Sequence, residues 1–111
     1  MTEVTELLTE ARARIARGWT QGASARDVTG SVTRAWAEEA VCWCAMGAVA
    51  CRDDDWTTAE PAWAALRAAV GGETWVSEWN DAPGRTQADV LALYDRAIER
   101  SRSMVVAGGG Q

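Results

Sequence analysis

The longest apolar run in the chain is the twelve-residue segment 40–51, and it limits the fold more than any other feature. A membrane-spanning helix needs about 20 apolar residues, so a run of this length belongs in the core of a domain. The residues just before the run alternate apolar and acidic side chains at helical spacing, and the run itself is apolar on every helical face. The sequence therefore predicts a central, surrounded helix over Arg34–Cys51.

Three other long segments carry apolar stripes at helical spacing, and each of them begins with a threonine that can cap a helix. Trp75 and Trp79 are four residues apart, which favours a short helix over a strand. The predicted helices are 2–17, 57–70 and 86–101, with the short one near 74–80.

These elements predict an all-α fold, a small bundle of about four main helices without a strand. The 111 residues suffice for one domain, which we place at 1–102. The glycine-rich end, 103–111, is expected to be disordered.

Histidine, lysine and phenylalanine are absent from the chain. Without histidine, a Ser–His–Asp or Cys–His nucleophilic site is excluded within one chain, and without lysine so is Schiff-base chemistry. The formal net charge of −5 argues against a nucleic-acid partner. We expect no catalytic residues and no cofactor, and we leave open whether the protein is an enzyme, with the balance against it.

The three cysteines predict buried, free thiols rather than a metal site. In a helix, Cys42 and Cys44 would point about 200° apart, and Cys44 and Cys51 would lie about 10.5 Å apart along the axis. Neither pair fits one zinc ion. The N-terminus has no secretory signal, so we expect a cytoplasmic protein, and we interpret the acidic run Asp53–Asp55 as a solvated turn.

Seven tryptophans are several times the usual share for a chain of this length, and we expect most of them in the core. Trp36 and Trp43 would share one face of the central helix. Trp56, beside the acidic run, is the tryptophan that we expect to be exposed. Tryptophan is frequent at interaction hot spots, so the chain is expected to bind a protein partner or itself through an apolar, tryptophan-containing surface.

Two polar segments, 21–27 and 80–85, form the alternative candidate, a small-molecule site with or without catalysis. Turn chemistry accounts for their glycine, proline, asparagine and aspartate residues, so a structural role competes with a functional one. In the functional reading, an aspartate would act as acid or base and an arginine would hold an anion. The candidate ligand-binding residues are Gln21, Arg26, Asp27, Asn80, Asp81 and Arg85.

Five short segments stand out together: WTQGA at 19–23, ARD at 25–27, VCWCAMGA at 41–48, WNDAPGRT at 79–86 and VLAL at 90–93. As a set they resemble a family of small bacterial and phage proteins known only as a domain of unknown function. The resemblance spans roughly residues 5–100. It implies a stand-alone cytoplasmic domain and brings no activity, cofactor or catalytic residue with it.

Overall fold

A computed structural model describes residues 3–50, 56–72 and 74–109, and these residues contain four helices and three short strands. The helices are α1 (Glu3–Arg17), α2 (Trp56–Val70), α3 (Val76–Asp81) and α4 (Gln87–Gly109). The strands are β1 (Ala25–Arg26), β2 (Val32–Thr33) and β3 (Cys42–Trp43), all between α1 and α2.

The three long helices form the helical part of the core. α1 packs along α4, α2 packs against both, and α3 packs against α2. Their apolar stripes meet inside, where Leu8, Ile15, Leu66 and Leu93 are fully buried. Burying each such side chain contributes about 1.5–3 kcal/mol.

The start of α4 shows how local sequence fixes a helix end. The backbone N–H of Thr86 donates to Asp89 Oδ2 at 3.0 Å, and the N–H of Asp89 donates to Thr86 Oγ1 at 3.2 Å. This reciprocal capping box satisfies N–H groups that have no partner within the helix, and it confirms the helix start predicted at residue 86.

The strands form an antiparallel sheet in the order β2-β1-β3. Ala25 is opposite Thr33 on one side and Trp43 on the other, and its side chain is buried with that of Trp43. The outer edge of β3 is covered by the chain that follows α1. There the N–H of Trp43 donates to Gly18 O, and Trp43 O accepts the N–H of Thr20, each at 3.1 Å.

The predicted central helix over Arg34–Cys51 is wrong, and with it the all-α class. The fold is mostly helical with a small antiparallel sheet, because β3 pairs with β1 on one side while the N–H and C=O of Trp43 bond to Gly18 and Thr20 on the other. Within the described part of the apolar run, 40–50, helical turns are confined to residues 44–50, as in the bond from Ala48 N to Cys44 O at 3.0 Å. The run is nevertheless interior from Trp43 to Val49, apart from the half-buried Met46.

The other helices agree with the sequence prediction in kind. The short helix near 74–80 is α3, and the predicted helices 2–17 and 57–70 correspond to α1 and α2. α4 continues to Gly109, beyond its predicted end at residue 101, and the disorder of 103–111 stays a prediction. In the part of the chain that is described, no helix is long and apolar enough to cross a membrane.

Candidate functional site

The two polar segments 21–27 and 80–85 lie in contact, and Asn80 is at their centre. Its side chain is fully buried, and Oδ1 accepts the indole N–H of Trp19 at 2.8 Å and the backbone N–H of Ala45 at 2.9 Å. Nδ2 donates to Thr20 O at 3.1 Å and to Asp81 Oδ1 at 2.9 Å. Both donors and both acceptor positions of the amide are therefore used inside the protein. Asn80 joins three chain segments and has no group left to offer a ligand.

Gln21 extends this network to the end of α3. Its Nε2 donates to Asn80 O at 2.9 Å and to Ala82 O at 3.1 Å. The last carbonyls of a helix have no partner within it, so Gln21 serves as a cap supplied by a distant segment. Asp81 completes the contact from the other side, because its Oδ1 accepts the N–H of Gly22 at 2.9 Å while the residue itself remains exposed.

Arg26 stabilises the 20–30 segment through hydrogen bonds to other residues of the same segment. Its Nε donates to Thr20 Oγ1 at 3.0 Å, Nη2 to Gln21 O at 3.2 Å and Nη1 to Gly30 O at 3.0 Å. All three guanidinium nitrogens have internal acceptors, which is the arrangement of a structural arginine rather than of one open to an anion.

Asp27 closes the turn between β1 and β2. Its Oδ1 accepts the N–H and the hydroxyl of Thr29, at 2.9 and 2.6 Å, and the N–H of Ser31 at 3.1 Å. The hydrogen bond from the Thr29 hydroxyl is the largest cause that lowers the pKa of Asp27; desolvation opposes it, and the backbone N–H donors of the turn add to it. Within the described residues, the hydrogen bonds of this carboxylate stay inside the turn.

Arg85 lies against a tryptophan. Its guanidinium carbon is 3.9 Å from the centre of the Trp79 ring, and its Nε donates to Trp79 O at 2.8 Å. This cation–π contact and the hydrogen bond hold the turn after α3 onto the helix. Of the six predicted ligand-binding residues, the structure thus brings Gln21, Asn80 and Asp81 directly together.

Sequence reasoning did not find the partner of this network on α4. The Tyr94 hydroxyl donates to Ala45 O, so the peptide groups of Ala45 are held by Tyr94 on one side and by Asn80 on the other. Both side chains are fully buried. Asn80 is the only asparagine and Tyr94 the only tyrosine in the chain, and a lone polar side chain beside an apolar stripe is the signal that could have identified the pair.

The cysteines divide into two environments. Cys42 is half-buried, and Cys44 is buried with its sulfur accepting the N–H of Gly47 at 3.2 Å. Burial raises the pKa of the Cys44 thiol above its ordinary value of 9.0. No group of three or more candidate metal ligands occurs in the described residues. Cys51 and the acidic run Asp53–Asp55 lie outside them.

The tryptophans also divide. The indole N–H of Trp43 donates to Ala35 O at 2.9 Å and that of Trp63 to Met46 O at 3.1 Å, as expected for core tryptophans. Trp36 does not share a helical face with Trp43, since no helix forms there; it is 45% exposed.

Trp75 is 58% exposed and carries the guanidinium carbon of Arg67 at 4.1 Å from its ring centre. The sequence analysis named Trp56, and not Trp75, as the tryptophan expected to be exposed. Trp56, the predicted surface tryptophan, has a side chain outside the described residues.

Four large exposed hydrophobic residues cluster along the chain around β2, and we call them the hairpin surface. Val32 stands opposite Arg26 in β1, and the N–H of Val41 donates to Arg26 O at 2.9 Å on the other side of that strand. Contiguous exposed apolar residues commonly mark interaction sites. The hairpin surface consists of Val28, Val32, Trp36 and Val41, which are 86%, 65%, 45% and 47% exposed.

The chain matches a protein family over residues 1–100, and that family is described as "Family of unknown function (DUF6197)". No curated protein and no solved structure matches the chain.

Proposed function

The chain belongs to this family of unknown function, and from its own surface we propose that it is a non-enzymatic interaction module that binds protein through the hairpin surface. One observation carries the proposal. Of the five large hydrophobic residues exposed in the described part of the chain, four lie between Val28 and Val41. Such side chains are normally buried, and covering them with a partner removes apolar area from water at about 25 cal/mol per Å².

The polar contacts next to the hairpin surface support the same role. The Asp27 turn and the three bonds of Arg26 fix the backbone around β2 before any partner arrives. A preorganised loop loses little conformational entropy on binding, so more of the apolar gain is retained as affinity. The hairpin surface also contains Trp36, and tryptophan is enriched at interaction hot spots. The guanidinium carbon of Arg34 lies 5.8 Å from the centre of the Trp36 ring.

We include self-association in the proposal, because the same apolar surface is present on every copy and a two-fold contact needs only one such patch. A cytoplasmic location also belongs to it. Its support is that Cys42 and Cys44 are free thiols, which persist in a reducing compartment.

The test is sedimentation velocity over protein concentrations from about 1 µM to about 1 mM. The wild type is expected to associate, and the double variant Val28→Ser/Trp36→Gln is expected to remain a monomer. Trp75→Gln is the matched control, since Trp75 is more exposed than Trp36 but lies outside the hairpin surface. Thermal unfolding of each variant checks that the fold is kept. A wild type that is monomeric throughout, or a double variant that associates as well as the control, contradicts the proposal.

The alternative, a small-molecule site between segments 21–27 and 80–85, has less support. The segments do meet, but the polar groups of Asn80, Gln21 and Arg26 that could bind a ligand are bonded to protein atoms. A metabolite retained in a native mass spectrum of the purified protein, and lost in Asp81→Ala, would reverse this preference.

A further inference from the structure

We propose that the partner of the hairpin surface is a second copy of this chain, which pairs antiparallel with the free edge of β2 about a two-fold axis at Val32. The two small sheets then form one continuous sheet. This inference rests on the proposed function and specifies its partner and contact.

The sheet has one edge open for such a contact. β1 is central, and the outer edge of β3 is occupied by the chain at Gly18–Thr20, which bonds to Trp43 at both N–H and C=O. In the described residues, no strand lies against the outer edge of β2. An open edge presents backbone donors and acceptors that another strand can use.

The register identifies the residue that presents them. Asp27 N donates to Ser31 O at 2.9 Å, while Val32 lies directly opposite Arg26. Hydrogen-bonded and non-hydrogen-bonded pairs alternate along an antiparallel ladder, so Arg26 and Val32 form a non-hydrogen-bonded pair. The N–H and C=O of Val32 consequently point away from β1. The residue is 65% exposed, so a second strand can reach them.

The placement of the apolar residues favours a second copy in antiparallel orientation. Val28 precedes β2 and Trp36 follows it, and both are exposed. When two β2 strands pair antiparallel about Val32, Val28 of one copy lies level with Trp36 of the other. The two-fold axis forms the same contact a second time. The apolar residues of each copy are thus covered by those of its partner, as an isologous contact requires.

Charge and size agree with this arrangement. In the same register, Arg34 lies level with Gly30 of the second copy, so no like charges face each other across the edge. The hairpin surface has four exposed apolar side chains, fewer than the about 20–30 residues that each partner typically contributes to a stable interface, which suits a weak, reversible dimer rather than a permanent one.

The decisive variant is Val32→Pro. Proline is tolerated on an edge strand where the N–H faces solvent, so the sheet of the monomer is expected to remain. Each copy loses the donor that the dimer uses, and the dimer dissociation constant is expected to rise at least ~10-fold. Val32→Ile keeps the donor and the apolar side chain and is the matched control, with a change of less than ~3-fold.

A second measurement needs no variant. Amide hydrogen exchange of wild-type protein, read by NMR, is expected to show the Val32 N–H fast in dilute protein and at least ~10-fold slower in concentrated protein. Exchange at Val32 that does not depend on concentration overturns the inference, whether or not the proline variant folds.

The same experiments separate this inference from the proposed function. If Val32→Pro associates as well as Val32→Ile while Val28→Ser/Trp36→Gln does not associate, the hairpin surface is an interface and the edge pairing is rejected. If the wild type does not associate at any concentration, both proposals are rejected.

Discussion

Asn80 binds two distant segments, at Trp19–Thr20 and at Ala45, through one buried side chain, and this makes it the most sensitive single position of the network. Asn80→Asp keeps the shape but places a carboxylate oxygen against Thr20 O and against the Asp81 carboxylate, where the amide donates. A buried acceptor facing an acceptor loses its bond and its solvation, so we expect the free energy of unfolding to fall by about 3 kcal/mol. Chemical denaturation measures it.

The control for that variant is Asp81→Asn. Asp81 is exposed, and an asparagine there can still accept the N–H of Gly22. We expect a loss below about 1 kcal/mol, since the bond is kept and only surface charge changes. An equal loss in both variants would mean that the Asn80 amide is not the critical group.

Cys44 gives the protein a predicted sensitivity to alkaline pH. Burial raises the pKa of its thiol, so the folded state holds the proton at pH values where the unfolded chain releases it. The resulting stability is full below pH 9.0, the ordinary value, and is lost as pH rises from there through the raised pKa of the folded state.

Cys44→Ser is expected to weaken this alkaline loss, because a hydroxyl can accept the N–H of Gly47 but does not titrate in that range. The measurement is the free energy of unfolding of wild type and variant from neutral to alkaline pH. Cys42→Ser, at a half-buried thiol, is the control, and the prediction fails if it changes the slope as much as Cys44→Ser.

Among the elements, the contact between residues 44–50 and the loop before β1 depends on Gly47. A Cβ built there would lie 2.1 Å from Ser24 O, a backbone atom that cannot rotate away. Gly47→Ala is expected to cost about 3 kcal/mol by overpacking. Gly84→Ala is the comparison, since Gly84 has open space around it but a φ of +83°, which costs about 1 kcal/mol. Thermal or chemical unfolding that ranks them in reverse would contradict the close contact.

The elements also show what local sequence can predict. Apolar spacing and caps identified α1, α2, α3 and the start of α4, because these helices depend on near neighbours in the chain. The segment 34–51 was misassigned because each strand has only two residues and is held by partners far along the chain. A short run of apolar residues reads equally as helix or strand when only its own sequence is considered.

The contact between the two polar segments could be predicted from the sequence, whereas the hydrogen bonds within that contact could not. The contact between segments 21–27 and 80–85 was anticipated from their polar residues. The sequence could not show that Asn80 uses its whole amide on protein atoms. Two of its four partners are backbone groups, at Thr20 and Ala45, which any residue type supplies. The exposure of Trp36 could not be predicted either, because the sequence analysis placed this residue in a helix over 34–51 that does not form.

At the scale of the whole molecule, the sheet region and the helices are joined through buried polar bonds at Ala45. Asn80, in α3, and Tyr94, in α4, both bind that residue. We therefore expect tryptophan fluorescence and far-ultraviolet circular dichroism to report one coincident unfolding transition. Tyr94→Phe is expected to lower the free energy of unfolding by about 1–3 kcal/mol and to shift both transition midpoints together. A fluorescence transition that precedes loss of helix would show that the two parts unfold separately.

The pairing of the first helix with the last has a consequence for synthesis of the chain on the ribosome. Thr5 and Ser101 share a 2.7 Å hydrogen bond between their hydroxyls, and Gln87 donates to Ile15 O at 2.6 Å, so α1 is held by residues of α4 that are synthesised much later than α1 itself. The apolar face of α1 is consequently only partly covered, by α2 and β3, until α4 has been synthesised. Nascent chains stalled at increasing lengths are expected to resist protease only after α4 has emerged, which makes the synthesis of α4 the step that protects the elements before it.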